Sequence, residues 1–393
     1  MKQPFLVFII LITFISFGQE KESKNYFRNP LNIPSVVAGT FGELRSNHFH
    51  AGIDLKTQGK EGLKVFATAN GFISRIKVAQ FGYGKTIYIS HPNGYTTVYA
   101  HLSKYADKIE KYVKSIQYKK ENYQTGNLFF KDGKFPVQKG DIIAYSGNTG
   151  SSGGPHLHYE IRNTKTEHIL NPLIFGLYPE DTLSPVFQSL MVYALAPHSR
   201  INNHHKNTII SLKKIKKGHY TSDKIYATGT IGFGVRVFDR LNKALNKNGI
   251  NSLEMLVNGK RVYYHHIEKF SFAESKFINL HIDYPYYKKY KRRYQKTFKE
   301  NANKLSTYKD LTENGKIEIK KGLNYSIEII AKDYNGNSSS IKIPIVGEHS
   351  NKLFYQPTDT TEFKIIAGNF HKFKKENITI AFPKNTFYKD FFL

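Results

Sequence analysis

Two short stretches of this 393-residue sequence decide how it folds: HFHAGID at residues 48–54 and GGPHLHYE at residues 153–160. Side chains alternate between the two faces of a β-strand, so residues two or four apart point the same way. This alternation predicts that His156, His158 and Glu160 share one face, and the even spacing of His50 and Asp54 satisfies the same rule. If the two strands meet, two imidazoles and one carboxylate converge on one metal ion, with one imidazole left over.

The sequence around these stretches, from residue 37 to about residue 178, is typical of short strands joined by tight turns. It is dense in glycine and contains alternating runs such as TIYIS at 86–90 and TVYAH at 97–101. The second run ends in His101, which would add another uncommitted imidazole near the metal. Zinc hydrolysis needs about three protein ligands, an open position for water and a nearby proton carrier. Two free histidines beside the metal could share the base and acid roles.

One helix is predicted to interrupt the strands. Apolar residues recur at intervals of mostly three or four between residues 102 and 116, which places them on a single helical face. We expect an amphipathic helical insertion at 103–123. Strand and turn patterns resume near Phe135.

The sequence contains no cysteine and sixteen histidines. Disulfides, a lipid on an N-terminal cysteine and thiolate-rich metal sites are therefore excluded. A metal site must use His, Asp and Glu, which are ligands that suit zinc.

These motifs resemble those of the lysostaphin-type, or LytM-like, zinc metalloendopeptidases. The matching patterns are His-x-x-x-Asp at 50–54, Ala-His-Leu at 100–102 and Gly-Pro-His-Leu-His at 154–158, together with FGYGK at 81–85 and SGNTG at 146–150. The resemblance covers residues 36 to 175, and the helical stretch looks like an insertion that leaves the motifs intact.

The resemblance implies a glycine-rich antiparallel β catalytic domain of the duplicated hybrid motif type at 36–180. It implies that His50, Asp54 and His158 bind one Zn²⁺ per catalytic domain. His101 and His156 become the catalytic pair around a zinc-bound water, and which of them acts as the base stays open. Glu160 either orients a zinc ligand or forms a solvent-facing salt bridge.

Beyond residue 180 the pattern changes to longer β segments joined by Asn-Gly turns at 258–259 and 335–336. These hairpin signals predict an immunoglobulin-like β-sandwich at 185–347. The pairs His204-His205 and His265-His266 lack a partnering carboxylate motif, and we interpret them as solvated turns. Residues 348–393 either add strands to the sandwich or begin a further β module that is cut short, and we favour the second interpretation.

The sequence begins with a predicted signal peptide at 1–18, whose apolar run is too short for a transmembrane anchor. A linker at 19–35 is expected to follow it. We expect an exported protein in the periplasm or outside the cell. The net charge of +27 favours contact with anionic envelope polymers. An aromatic and basic run at 284–294 is typical of single-strand nucleic-acid binders, but export makes nucleic acid an unexpected partner.

The signal peptide and the family resemblance together predict hydrolysis of peptide cross-links in bacterial peptidoglycan. We expect a bond between D-alanine and a diamino acid rather than a glycyl-glycine bond, because the long cationic form resembles family members from Gram-negative bacteria. Two rivals are a non-catalytic regulator that binds the wall or activates an amidase, and a peptidase of exported proteins. Retention of all five motif positions argues against the regulator.

Overall fold

The computed structural model of the chain describes residues 24–177, 179–348 and 361–393. The predicted signal peptide at 1–18 lies outside the described residues, as does the start of the predicted linker. The predicted mainly β class is confirmed. None of the described helices combines the length and apolar character needed to span a membrane.

The first region, up to residue 177, contains short strands and one long helix. The strands are β1 Val37–Gly39, β2 Ile53–Lys56, β3 Lys64–Phe66, β4 Gly71–Val78, β5 Lys85–Ser90, β6 Tyr95–Leu102, β7 Lys104–Tyr105, β8 Gly126–Phe129, β9 Pro136–Val137, β10 Ile142–Tyr145, β11 His156–Asn163 and β12 Ile169–Leu170. Helix α1 spans Asp107–Lys120, inside the range predicted for a helix. It buries Ile109 and Val113 against the core of this region.

The main sheet of this region runs in the order β1-β2-β11-β6-β5-β4-β8, so the three motif-bearing strands are neighbours. All the pairings in this order are antiparallel, and His158 on β11 lies opposite Asp54 on β2 and opposite Ala100 on β6. This register brings distant parts of the sequence to one place on the sheet.

Glycine is required where β1 passes Asp54. A Cβ atom at Gly39 would lie 2.5 Å from the Asp54 carboxylate and 2.7 Å from the Arg45 guanidinium. Such distances are shorter than van der Waals contact, so a larger residue would displace the carboxylate.

The second region has its own strands and core. The strands are β13 Val186–Ala194, β14 Arg200–Ile201, β15 Thr208–Ile210, β16 Leu212–Lys216, β17 His219–Ser222, β18 Ile225–Phe238, β19 Ser252–Val257, β20 Lys260–His266, β21 Lys269–Phe270, β22 Gln295–Lys296, β23 Tyr308–Leu311, β24 Ile317–Ile319, β25 Asn324–Lys332 and β26 Ser338–Gly347. Short helices are α2 Phe272–Ser275, α3 Ile278–His281 and α4 Tyr284–Tyr290. Alternate residues of the long strands, such as Ile327, Ile329 and Ala331, build a separate apolar core.

The second region is mainly β, but the immunoglobulin-like assignment and the domain boundaries stay predictions. Residues 361–393 form two small strand pairs, β27 Lys364–Ile365 with β30 Phe391–Phe392 and β28 His371–Lys375 with β29 Ile378–Phe382.

One short strand of the second region extends the main sheet of the first region, which the sequence patterns did not predict. β12 of the first region pairs with β21 of the second, with Ile169 opposite Phe270. The Phe270 ring packs on Phe41 and Phe49 of the first region at centroid distances of 5.2 and 5.5 Å. Part of the second region therefore belongs to the core that supports β2 and β11.

Candidate metal centre

Three predicted ligands meet at one end of β2 and β11. His50 Nε2 lies 3.1 Å from Asp54 Oδ1 and 3.1 Å from His158 Nδ1, and His158 Nδ1 lies 2.9 Å from Asp54 Oδ1. Ligand atoms at the corners of a zinc tetrahedron, with bonds of about 2.0–2.1 Å, are roughly 3.3 Å apart. The triangle formed by these atoms therefore fits a small divalent cation with only slight adjustment.

His50 reaches this position by a route that differs from the sequence prediction. It precedes β2, which begins at Ile53, and does not share a strand with Asp54. Backbone hydrogen bonds of 2.9 Å hold it in a turn, from His50 N to Glu43 O and from Gly42 N to His50 O. The even spacing predicted that His50 and Asp54 lie close together, but the shared strand that it assumed is wrong.

Each ligand imidazole contacts a second acceptor that sets its tautomer. His50 Nδ1 lies 2.8 Å from the Thr40 carbonyl oxygen, and His158 Nε2 lies 2.9 Å from Glu160 Oε1. A backbone carbonyl can only accept, so Nδ1 of His50 carries the proton and Nε2 is left with its lone pair. Such partners orient metal-binding imidazoles and raise their basicity.

The charges around Asp54 favour its ionised form. Burial opposes ionisation, but the nearby His50, His156 and His158 hold the pKa of Asp54 well below its usual range. Arg45 approaches the other carboxylate oxygen at 3.3 Å. Burial also disfavours a charged His158, yet hydrogen bonds to the carboxylates of Asp54 and Glu160 raise its pKa to about 9. A metal ion bound here would displace that proton.

The two remaining motif histidines lie beside the ligand triangle. The His101 ring is 4.8 Å from the His156 ring and 5.8 Å from the His158 ring, centroid to centroid. His101 Nδ1 donates to the Thr149 carbonyl oxygen and His156 Nδ1 to that of Gly154, both at 2.8 Å. Both rings therefore leave Nε2 as the basic nitrogen, and His156 Nε2 lies 3.4 Å from Asp54 Oδ1.

His101 has two further features of a functional residue. Its backbone is left-handed, with φ of 59°, which is uncommon outside glycine and is held by a hydrogen bond to the Tyr83 carbonyl oxygen. Burial, together with the charge of His158, lowers the pKa of His101 to about 4. The imidazole is therefore neutral at pH 7 and its Nε2 can accept a proton.

Glu160 is fully buried, so the solvent-facing salt bridge considered for it is wrong. Its Oε1 accepts hydrogen bonds from His158 and from the Tyr83 hydroxyl, and its Oε2 lies 2.6 Å from Arg162. Burial raises the pKa of Glu160, but Arg162 and His158 outweigh it and lower the pKa to about 2. Glu160 is thus a permanent anion that orients His158. The sequence could have indicated the contact of Arg162 with Glu160, because residues two apart in a strand share a face. No sequence pattern indicated that Arg45 would contact Asp54.

An open groove of about 550 Å³ leads away from His50 and His158, and both regions line it. The first region supplies Arg75, Lys77, Tyr83 and Tyr88, and the second supplies Phe272, Ser275 and Lys276. Ser275 Oγ accepts a hydrogen bond from Phe49 N at 2.9 Å, and the Arg162 guanidinium lies 4.8 Å from the centre of the Phe272 ring. The groove is therefore cationic and aromatic, and α2 forms one of its walls.

One histidine outside this centre was misjudged from the sequence. His265, interpreted as part of a solvated turn, is 4 % exposed and stacks on the fully buried His281 at a centroid distance of 4.4 Å. It points inward from β20, whereas its neighbour His266 is half-buried.

Comparison with known proteins finds a family model that matches this part of the chain. The family model described as peptidase family M23 matches residues 48–118 and 123–172. An uncharacterized metalloprotease of Haemophilus influenzae is 32 % identical over 152 residues, which is 37 % of this chain and 26 % of that protein. The DD-carboxypeptidase/endopeptidase Mpg of Neisseria meningitidis is 35 % identical over 150 residues, which is 37 % of this chain and 28 % of that protein.

The chain thus spans about a quarter of the length of these relatives. Among solved structures, the catalytic domain of the antimicrobial peptidase lysostaphin from Staphylococcus simulans aligns with 24 % identity and a TM-score of 0.28. That alignment covers 37 % of this chain and 93 % of the lysostaphin domain.

Proposed function

The chain belongs to peptidase family M23 through residues 48–172, and from this premise we propose that it is an exported zinc endopeptidase that cuts peptide cross-links of peptidoglycan. The observation that carries the proposal is the triangle of His50 Nε2, Asp54 Oδ1 and His158 Nδ1, with two further imidazoles beside it. This set supplies three ligands and two proton carriers and leaves a coordination position for water.

The proposed ligands are His50, Asp54 and His158, holding one Zn²⁺. Zinc bound here would act as a Lewis acid. It would also lower the pKa of a bound water, so that the water could lose a proton and act as a nucleophile near neutral pH. His101 and His156 divide the proton transfers through their Nε2 atoms. One accepts the proton of the attacking water, and the other stabilises the developing oxyanion or protonates the leaving amine.

The lining of the groove supports an anionic peptide substrate. Lys77 and Lys276 line it without an ion pair among the described residues, and Arg75 lies 3.8 Å from Glu167 at its edge. Stem peptides of peptidoglycan carry free carboxylates, which such cations attract. We favour the bond between D-alanine and a diamino acid, because the similar Neisseria meningitidis protein is a DD-carboxypeptidase/endopeptidase.

The same proposal places the protein in the periplasm or outside the cell. Its partners there are peptidoglycan and, through the net charge of +27, anionic envelope polymers, with no role for nucleic acid. The predicted signal peptide at 1–18 supports export.

The test is digestion of purified peptidoglycan by the full chain, with mass spectrometry of the released fragments. Wild type with zinc should release cross-link cleavage products, while chelator treatment or His158→Ala should abolish release. His168→Ala, which changes an exposed histidine, is the matched control and should stay active.

Equal fragment release from all samples would contradict the proposal. Wall binding without release by the zinc-loaded protein would instead favour a non-catalytic regulator. Cleavage of protein substrates with inert muropeptides would favour a peptidase of exported proteins.

A further inference from the structure

A second group of buried carboxylates lies at the junction of the two regions, away from the His-Asp centre. Asp181, Asp239 and Asp333 each place a carboxylate oxygen within 4.8 Å of the others. Their exposed fractions are 7 %, 1 % and 5 %. Three like charges this close in a poorly solvated place repel one another unless protons or a cation compensate them, and burial together with the neighbouring carboxylates raises the pKa of Asp239 to about 8.

Two of these carboxylates have a buried oxygen that accepts no hydrogen bond from the described residues. Asp181 Oδ1 accepts hydrogen bonds from Leu183 N and Asn242 N, which fixes the side chain, while its Oδ2 is buried with no hydrogen-bond donor among the described residues. The Asp181 and Asp333 carboxyl groups are close enough to share a proton. Asp239 Oδ1 is likewise buried without a partner among the described residues. Leaving buried acceptors unpaired is costly, so these oxygens indicate a missing ligand.

The side chain of Asn248, near this cluster, also lacks hydrogen-bond partners among the described residues. Asn248 pairs with Asp239 through two backbone hydrogen bonds of 2.8 and 2.9 Å. Opposed residues of an antiparallel pair project to the same face, so Asn248 lies on the same side of this pairing as Asp239, although it does not line the cavity. Asn248 is 2 % exposed, and neither its Oδ1 nor its Nδ2 has a partner among the described residues.

The protein supplies no base to neutralise this cluster. The chain has 58 lysines and arginines, yet none in the described ranges forms an ion pair with Asp181, Asp239 or Asp333. In the first region, by contrast, Arg45 contacts the largely buried Asp54 and Arg162 contacts the buried Glu160. Basic side chains outnumber acidic ones in this protein, yet the three aspartates have no basic partner among the described residues.

The three carboxylates line a small cavity of about 20 Å³, which is the space of one water molecule or ion. Val37 and Phe41 of the first region and Leu241 of the second also line it, so it lies where the two regions meet. The polar atoms around it are oxygens and amides, with no imidazole among its lining residues. Carboxylate and amide oxygens suit a hard cation that accepts six to eight ligands.

We propose that Asp181, Asp239 and Asp333 bind one calcium ion that holds the connection after residue 179 against the second region. The ion offsets two of the three negative charges and supplies a partner for the unpaired oxygens. It thereby ties together the connection after residue 179, the end of β18 and the hairpin between β25 and β26. This site is independent of the proposed hydrolysis, because none of its residues contacts the His-Asp centre.

The test uses the full zinc-loaded chain in calcium-free buffer and records thermal unfolding while calcium chloride is added. The melting temperature should rise by about 5 °C at saturation, because binding to the folded state alone stabilises it. In Asp239→Asn, the half-maximal calcium concentration should rise at least tenfold. Asp310→Asn, an exposed aspartate of the same region, is the control and should respond like wild type.

Terbium luminescence excited through the tyrosines gives a second readout, and calcium should quench it in wild type with a stoichiometry of one. If Asp239→Asn does not fold, Asp181→Asn serves the same purpose. No calcium-dependent change in wild type would overturn the proposal. An unchanged half-maximal concentration in the aspartate variant would also overturn it, since the ion would then bind elsewhere.

Discussion

Two groups of histidines in this chain, one of them with a partly exposed member, have opposite character. In the first region, each of His50, His101, His156 and His158 uses one ring nitrogen for an acceptor outside the cluster and directs the other toward Asp54 or the space beside it. In the second region, His265 and His281 stack on each other, and the Nε2 atom of each is buried without a partner in the described chain.

The difference shows what separates a reactive centre from core packing. His50, His101 and His158 are buried like His265 and His281, so burial alone does not identify a site. The first group contains a carboxylate and has its tautomers set by backbone carbonyls and Glu160, which aims lone pairs at a common point. The second group has no carboxylate in contact, and burial simply keeps both rings neutral.

The strongest test of this contrast concerns the two histidines that are not ligands. His101→Gln and His156→Gln should each lower kcat on peptidoglycan fragments by about 10²- to 10⁴-fold, because each removes a proton carrier. Zinc content, measured by mass spectrometry of the metal, should stay at one per chain. Loss of zinc in either variant would show that the residue acts as a ligand and not as a proton carrier.

The role of Glu160 gives a smaller expected effect. Glu160→Gln should weaken zinc binding by about 10- to 100-fold, measured by competition with a chromogenic chelator, because the acceptor that orients His158 loses its charge. Glu167→Gln is the control, since Glu167 also pairs with Arg162, at 2.9 Å, but is half exposed and does not contact His158. Equal weakening in both variants would point to Arg162 rather than to the contact with His158.

The histidine pair of the second region predicts a pH effect on stability. Burial lowers the pKa of His265 to about 3 and that of His281 well below its usual value, so both are neutral when folded. Below about pH 6.5 the unfolded chain binds protons that the folded chain does not, and stability falls with falling pH. At pH 5 the loss is about 2 kcal/mol per histidine.

His265→Phe should therefore reduce the stability loss between pH 7.5 and pH 5 by about 2 kcal/mol, measured by urea unfolding. His168→Gln, at an exposed position, should leave the loss unchanged. The same loss in His265→Phe as in wild type would mean that His265 is protonated in the folded protein, and the contrast between the two groups would fail.

The smallest effect concerns the groove wall contributed by the second region. Lys276→Ala should raise KM a few-fold for a stem peptide with free carboxylates and leave kcat unchanged, because one exposed cation contributes about 1 kcal/mol or less. The amidated peptide should show no change. Lys289→Ala, outside the groove, is the control. An equal effect on both peptides would mean that Lys276 does not recognise carboxylates.

The sequence predicted the centre better than its surroundings. Strand alternation correctly grouped His156, His158 and Glu160, and the family motifs selected His50 and Asp54. The register that places His158 opposite Asp54 depends on pairing between distant strands, which no local pattern contains. The inward face of His265 was missed because a hairpin signal indicates a strand and not the side that is buried.

The junction could not be predicted for a similar reason. β12 and β21 are two-residue strands without a recognisable alternation, and their pairing accompanies the packing of Phe270 into the first core. Asp181, Asp239 and Asp333 lie in three separate turns or connections, and only the fold brings them within 4.8 Å. Local patterns describe faces and turns, whereas contacts between regions require the tertiary structure.

The central claim is that His50, Asp54 and His158 together bind a single zinc ion. The most direct measurement is an anomalous difference map from a crystal of the zinc-loaded chain, recorded on both sides of the zinc absorption edge. The account predicts one strong peak at about 2 Å from His50 Nε2, a carboxylate oxygen of Asp54 and His158 Nδ1. A zinc peak bound to other residues, with these three side chains uncoordinated, would contradict it.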